Sequence, residues 1–309
     1  MKKILNIIGI TLFTILLSVS LNGCGLTKIQ KSSIASFGQA TATLGAISKE
    51  QFQGGRENVI QMNRQRLAIE KKILPARKLD GTSSDRSFYA NCLNLDSGLD
   101  QTNIGRRVDA VELLIEYGNL LVAFSTETQE KELNTASSKF TDSLKAFPNN
   151  PLSAEEISGL GQVVVMAGKM WVEREKKDAL KKIIPTVSPM ITKICDIMDN
   201  DFDLNKKGVA ADIFNTQDRL ANEAIDGLKR EGGSIGDRLL LIDGFSSADQ
   251  NKEKIETVSS NILKTVGSLR KANKELISLI ENENLSIEDI KAFADDAKIL
   301  ARAIKSFIK

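Results

Sequence analysis

Apolar positions return at alternating steps of four and three along most of the chain. The clearest run is Ile255, Ser259, Ile262, Val266, Leu269, Asn273, Leu276 and Ile280, which predicts a long helix packing through a coiled-coil seam. Asn273 puts a polar group in that seam, a device that fixes register at some expense of stability. An earlier series, Ile34, Phe37, Thr41, Leu44 and Ser48, is flanked by the small residues Gly38, Ala42 and Gly45, so a second helix can approach it closely. Gly54-Gly55 predicts a kink or break, after which Val59, Met62, Arg66 and Ile69 resume the stripe up to Pro75.

Pro75 to Asp100 reads as a loop, with Asp80-Gly81 and Ser83-Ser84 as turn chemistry and Phe88, Tyr89, Cys92, Leu93 and Leu95 as docking groups. Helical spacing returns from Gln101 to Phe147 and ends at Pro148-Asn149-Asn150-Pro151. Ser153 and Glu156 have capping-box spacing and open a helix expected to run to about Ile184. Its small-residue face (Ser158, Gly161, Val165, Gly168) predicts the most buried segment of the chain. Pro185 and Pro189 are expected to reset its direction before a helix starting at Met190. Val209 to Leu228 is a further helix, and the short apolar run Leu239 to Ile242 is assigned to helix as well. Ser286 caps a last one, in which Ile290, Phe293, Ala297, Leu300, Ile304 and Phe307 keep the spacing, so the final two helices form an αα-hairpin. The fold class is all-α, an elongated bundle of about six long helices with coiled-coil-like seams.

The first two dozen residues follow a different rule. Lys2 and Lys3 precede an uncharged, Ile- and Leu-rich stretch from Ile4 to Leu21, closed by Leu21-Asn22-Gly23-Cys24, which is the layout of a secretion signal. The ending resembles the type II signal peptide of bacterial lipoproteins, with Leu three before the cysteine and a small residue just before it; Asn22 is the atypical position. The resemblance implies cleavage after Gly23, acylation of Cys24, and attachment to a membrane through N-terminal acyl chains. It also implies a place in the bacterial envelope, at the outer membrane where the host has two membranes, since Gly25 lacks the Asp that favours inner-membrane retention. Residues 1–23 are then a removed signal peptide, 24–30 a short lipidated tether, and 31–309 the helical bundle.

Composition narrows the chemistry. Lys plus Arg is 42 against 40 for Asp plus Glu, and with Lys2 and Lys3 gone the mature body is formally neutral, which argues against nucleic acid as a partner. There is no histidine, so Ser-His-Asp and Cys-His catalysis and the commonest metal ligand are excluded. Gly159-Leu160-Gly161 lacks a preceding strand, and Gly232-Gly233-Ser234-Ile235-Gly236 lacks the Lys-Ser/Thr ending of a phosphate loop. Cys92 and Cys195 remain once Cys24 is used, and a disulfide between them and two separate thiols are both open.

Asp199, Asp201, Asp203 and Asn205 place oxygen ligands at alternating positions, as a calcium loop begins. Leu204 and Ala210 occupy the places of the turn glycine and the bidentate glutamate, so a solvated, helix-capping acidic turn competes with a metal site. With no catalytic set and no cofactor implied, the expectation is a membrane-anchored, non-enzymatic envelope protein whose bundle presents a protein-interaction surface. The alternative is a periplasmic carrier of lipid or another apolar ligand. The resemblance makes one direct prediction: Cys24→Ser abolishes incorporation of labelled fatty acid at the mature N-terminus, and a serine variant that still takes up label sinks the lipidation reading.

Overall fold

The first helix opens on a reciprocal cap. Thr27 Oγ1 accepts from the Gln30 N–H (3.1 Å) and the Gln30 side-chain oxygen accepts from the Thr27 N–H (3.0 Å), so two otherwise orphaned amides are satisfied. The computed structural model describes residues 25–69, 95–97, 99–126, 130–170, 173–230, 234–281 and 286–306. Among them the chain is all-helical: α1 (Lys28–Ile69), α2 (Gln101–Ser125), α3 (Glu130–Ala146), α4 (Ala154–Met170), α5 (Glu173–Phe202), α6 (Val209–Leu228), α7 (Ile235–Glu281) and α8 (Glu288–Ser306).

Eight helices stand where about six were expected, and the seams account for their packing. Every position of the Ile255–Ile280 series is buried, as are Ile34, Phe37, Thr41, Leu44 and Ser48 on α1. The two hydroxyls in the α1 seam bond back to their own helix, Thr41 to the Phe37 carbonyl and Ser48 to the Leu44 carbonyl (2.8 Å each), so neither leaves an unmet polar group in the core. Helix α1 packs on α2, α6, α7 and α8, and α7 on α1, α5, α6 and α8; these two long helices are the axis of the bundle. Phe37, Tyr117, Phe140 and Phe293 bring α1, α2, α3 and α8 together through ring contacts at 5.5–6.5 Å.

The closest approach is between α1 and α2. A Cβ added at Gly38 would stand 2.6 Å from the Gly118 carbonyl oxygen, and one at Gly118 would collide with the Gly38 carbonyl and the Ala42 amide. The small residues on the α1 flank therefore do what their spacing suggests.

Several local expectations are corrected. Helix α1 runs through Gly54-Gly55 without a break; Gly55 lies against Val209 and Ile213 of α6 and makes room for them. Pro185 and Pro189 do not reset the chain but sit inside α5. They are four residues apart, hence on one face, and Lys181 and Pro189 on that face are exposed; the carbonyls freed by the missing N–H groups are on the side where water can reach them. The Gln101–Phe147 pattern divides into α2 and α3, and the helix opened by Ser153 ends at Met170.

Helix α4 is not the most buried segment. It packs on α3 and α5, burying Ile157, Leu160 and Val164, while Ser158, Gly159, Val165 and Met166 are exposed. Its small residues serve a peripheral hairpin, not a centre. Of the Pro75–Asp100 loop, Phe88, Tyr89, Cys92 and Leu93 lie outside the described residues; its end is strapped to α1, where the Asn63 amide donates to the Leu95 carbonyl (2.6 Å) and Arg56 pairs with the buried Asp96 (3.6 Å).

The glycine crossing gives a paired test. Gly118→Ala forces backbone apart, and overpacking typically costs about 1–3 kcal/mol, more than the roughly 1 kcal/mol helix-propensity gain; a fall in the chemical-denaturation midpoint is expected. Gly54→Ala, with no atom within 4 Å of the new methyl, should raise it by up to about 1 kcal/mol. Opposite signs support the crossing, and two rises would refute it.

Candidate functional site

The acidic stretch Asp199 to Asn205, which the structure places across the last turn of α5 and the loop after it, is the first place where chemistry was expected. Asp201 is buried and takes a two-pronged bond from Arg107 of α2, Nε to one carboxylate oxygen (2.6 Å) and Nη2 to the other (2.9 Å). Asp199 pairs with Arg270 of α7, which also holds Asp196 (2.9 Å). Asp203 turns back on its own loop, accepting from the Asn205 N–H (3.0 Å), with Lys206 nearby at 3.8 Å. The three aspartates proposed as a partial calcium loop are thus committed to different cations and do not converge; among the described residues no cluster of ligating side chains has metal-site geometry. What the turn does is clasp α2, α5 and α7 where α6 begins. Burial raises the pKa of Asp212 in the first turn of α6.

Cys195 is a free thiol in the core, and burial pushes its pKa up to about 12, which leaves almost no nucleophilic thiolate at neutral pH. Cys92 and Cys24 lie outside the described residues. Asn273 holds register as its seam position suggests: its amide donates to Ser188 Oγ of α5 (2.8 Å), a bond available at one sliding position of α7 on α5.

The unspent surface is elsewhere. Ser234 and Asp237 cap α7 reciprocally, the Asp237 N–H donating to Ser234 Oγ (3.2 Å) and the Ser234 N–H to Asp237 Oδ2 (2.9 Å), so the helix begins cleanly at Ile235. From there Ile235, Leu239 and Ile242 form an i, i+4, i+7 stripe, and all three are exposed, at 81%, 56% and 49%, with Leu240 and Phe245 beside them. The other side of this segment is fixed: Leu241 packs over Gly227 of α6, where a Cβ would come within 2.6 Å of it. Lys252 then grips α6 through Asp218 (3.4 Å) and the face of Phe214 (4.7 Å). The start of α7 is therefore a held helix with an open apolar face. Sequence spacing identified the helix, and the end of α6 at Leu228, but not the exposure of the stripe, because the stripe lies one position off the buried seam and spacing alone does not say which neighbour covers it.

A second open feature lies between α3 and α4. A groove of about 960 Å³ is lined by Ile157, Val165 and Met166 along α4, by Leu152 just before it, and by Ser137 and Thr141 along α3. Comparison with protein families, with curated proteins and with solved structures finds no match.

Two measurements test the clasp at once. Arg107→Ala strands a buried carboxylate, and breaking such a pair costs up to about 3–5 kcal/mol, less here because Arg107 is partly exposed; a lowered melting temperature is expected. Added Ca²⁺ should leave the wild-type melting temperature unmoved, and a clear rise with Ca²⁺ would restore the metal reading.

Proposed function

We propose that this protein is a membrane-anchored envelope lipoprotein, held by acyl chains on Cys24, that works without catalysis by presenting the start of α7 to a protein partner. The observation that carries the reading is the open stripe Ile235, Leu239 and Ile242 on a helix whose other face is locked to α6. Grouped apolar exposure of this kind, on a rigid support, is what interaction sites have in common. Its i, i+4, i+7 spacing suits a partner helix or an apolar groove. The absence of histidine and the burial of Cys195 fit a role in binding. No helix among the described residues is long and apolar enough to cross a membrane, and the attachment proposed is the lipid on Cys24.

The groove between α3 and α4 favours a second reading, a periplasmic carrier of lipid or another apolar ligand. Its volume is in the range of ligand sites, but it is an open channel between two peripheral helices, whereas a carrier is expected to enclose its cargo. The α7 face is preferred on that ground.

Photoreactive residues at Leu239 and Ile242 separate the two in living cells. The expected result is a discrete protein adduct that disappears when Ile235→Asp is added, with the melting temperature of that variant within a degree or two of the parent because Ile235 is almost fully exposed. Capture of lipid alone, concentrated at photoreactive Val165 or Met166, would move the carrier ahead; no adduct at any of these sites would remove the α7 face as an interaction surface.

A further inference from the structure

We infer that the end of the bundle around Gly25 and Ile29 rests directly on the headgroup layer of the anchoring bilayer, so that the molecule stands as a strut with the α7 face at its far end. The inference depends on the lipid anchor at Cys24 proposed above and adds to it a docked surface and an orientation.

It begins with the tether, which has no slack. Gly25 accepts a hydrogen bond from Lys177 of α5 at 3.5 Å, Leu26 is buried in the core, and Thr27 caps α1. A chain advances at most about 3.8 Å per residue. An acylated Cys24 is therefore within one residue of a point fixed to the body, and its acyl chains enter the bilayer there.

The surface around that point is suited to the contact. Ile29, in the first turn of α1, is 61% exposed and has no packing role. Helical side chains lean toward the helix N-terminus, so it leans toward the anchor. Lys28 in the first turn of α1, Lys177 at Gly25 and Glu281 two residues beyond the Leu279 carbonyl bring both signs of charge to the same end, which makes the acyl chains, and not net charge, the source of attachment.

Orientation follows from α7. The Gln30 side chain donates to the Leu279 carbonyl (2.9 Å) in a buried contact, so the end of α7 is level with the start of α1. From Leu279 back to Ile235 the helix covers about 65 Å at 1.5 Å per residue. The two helices are antiparallel over this length, since Arg66 near the end of α1 pairs with Glu223 of α6 (3.1 Å) and α6 in turn holds Leu241 through Gly227. The apolar stripe is then at the membrane-distal end, out of reach of the bilayer that anchors the protein.

The test uses the acylated full chain with Cys92→Ser, in vesicles of phosphatidylethanolamine and phosphatidylglycerol containing headgroup-nitroxide lipid. A fluorophore is attached at Ile29→Cys or at Leu239→Cys. Quenching at residue 29 several-fold stronger than at residue 239 is expected, and it should largely vanish when a dozen Gly and Ser residues are inserted between Gly25 and Leu26. Equal quenching at the two sites, or quenching at 29 that survives the insertion, overturns the docked strut while leaving the anchor intact. Mass spectrometry of the N-terminal peptide reports the anchor separately; an unmodified Cys24 would remove both.

Discussion

The bundle depends on one steric fact, that α1 and α2 touch backbone to backbone at Gly38 and Gly118. Helices usually sit 8–10 Å apart, with side chains filling the gap. Here there is no gap to fill, and the large side chains beside the crossing meet each other and the helices around it. Phe37 meets Tyr117 and Phe293, and Tyr117 meets Phe140. The aromatic cluster that joins four helices is thus built beside the position where two side chains are missing. Glycine in a helix interior costs roughly 1 kcal/mol, and the close backbone packing at the crossing offsets it.

Charge has a separate task, fixing where helices end relative to one another. Apolar side chains at a repeating spacing specify register weakly, whereas a polar pair has one partner position. Arg107–Asp201, Arg270–Asp199 and Asn273–Ser188 each join different helices at one register. Such pairs add little net stability once desolvation is counted, and their contribution is to fix which positions of the helices face one another.

Helix existence was legible in the sequence because period is a local property. The seams at Ile34–Ser48 and Ile255–Ile280, the caps at Ser153 and Ser286, and the αα-hairpin of α7 and α8 all appear as the spacing requires. Misreadings occurred where a residue's meaning depends on its neighbours in space. Proline removes a hydrogen bond and crowds the carbonyl four residues back, and α5 tolerates this on a face where water can reach the freed carbonyls. A small-residue face on α4 signals close packing but not how many helices share it. Asp199 and Asp201 have the spacing of a metal loop, yet two arginines distant in sequence, Arg270 and Arg107, claim them first.

The start of α7 shows how folding and surface chemistry separate within one helix. Between Ile255 and Ile280 every apolar seam position is spent on the core, and each would be costly to lose. Ten residues earlier the same helix needs only Leu241, Gly244 and Ala248 to stay attached to its neighbours, and Gly227 has given up its side chain to seat the first of them. Ile235 contributes little to that attachment and Leu239 and Ile242 only in part, since about half or more of each side chain is still exposed and that share gains nothing on folding. A polar residue at each place would serve solubility better and keep the helix. Core stability accounts for little of their apolar character, and that surplus is the observation on which the proposed partner surface rests.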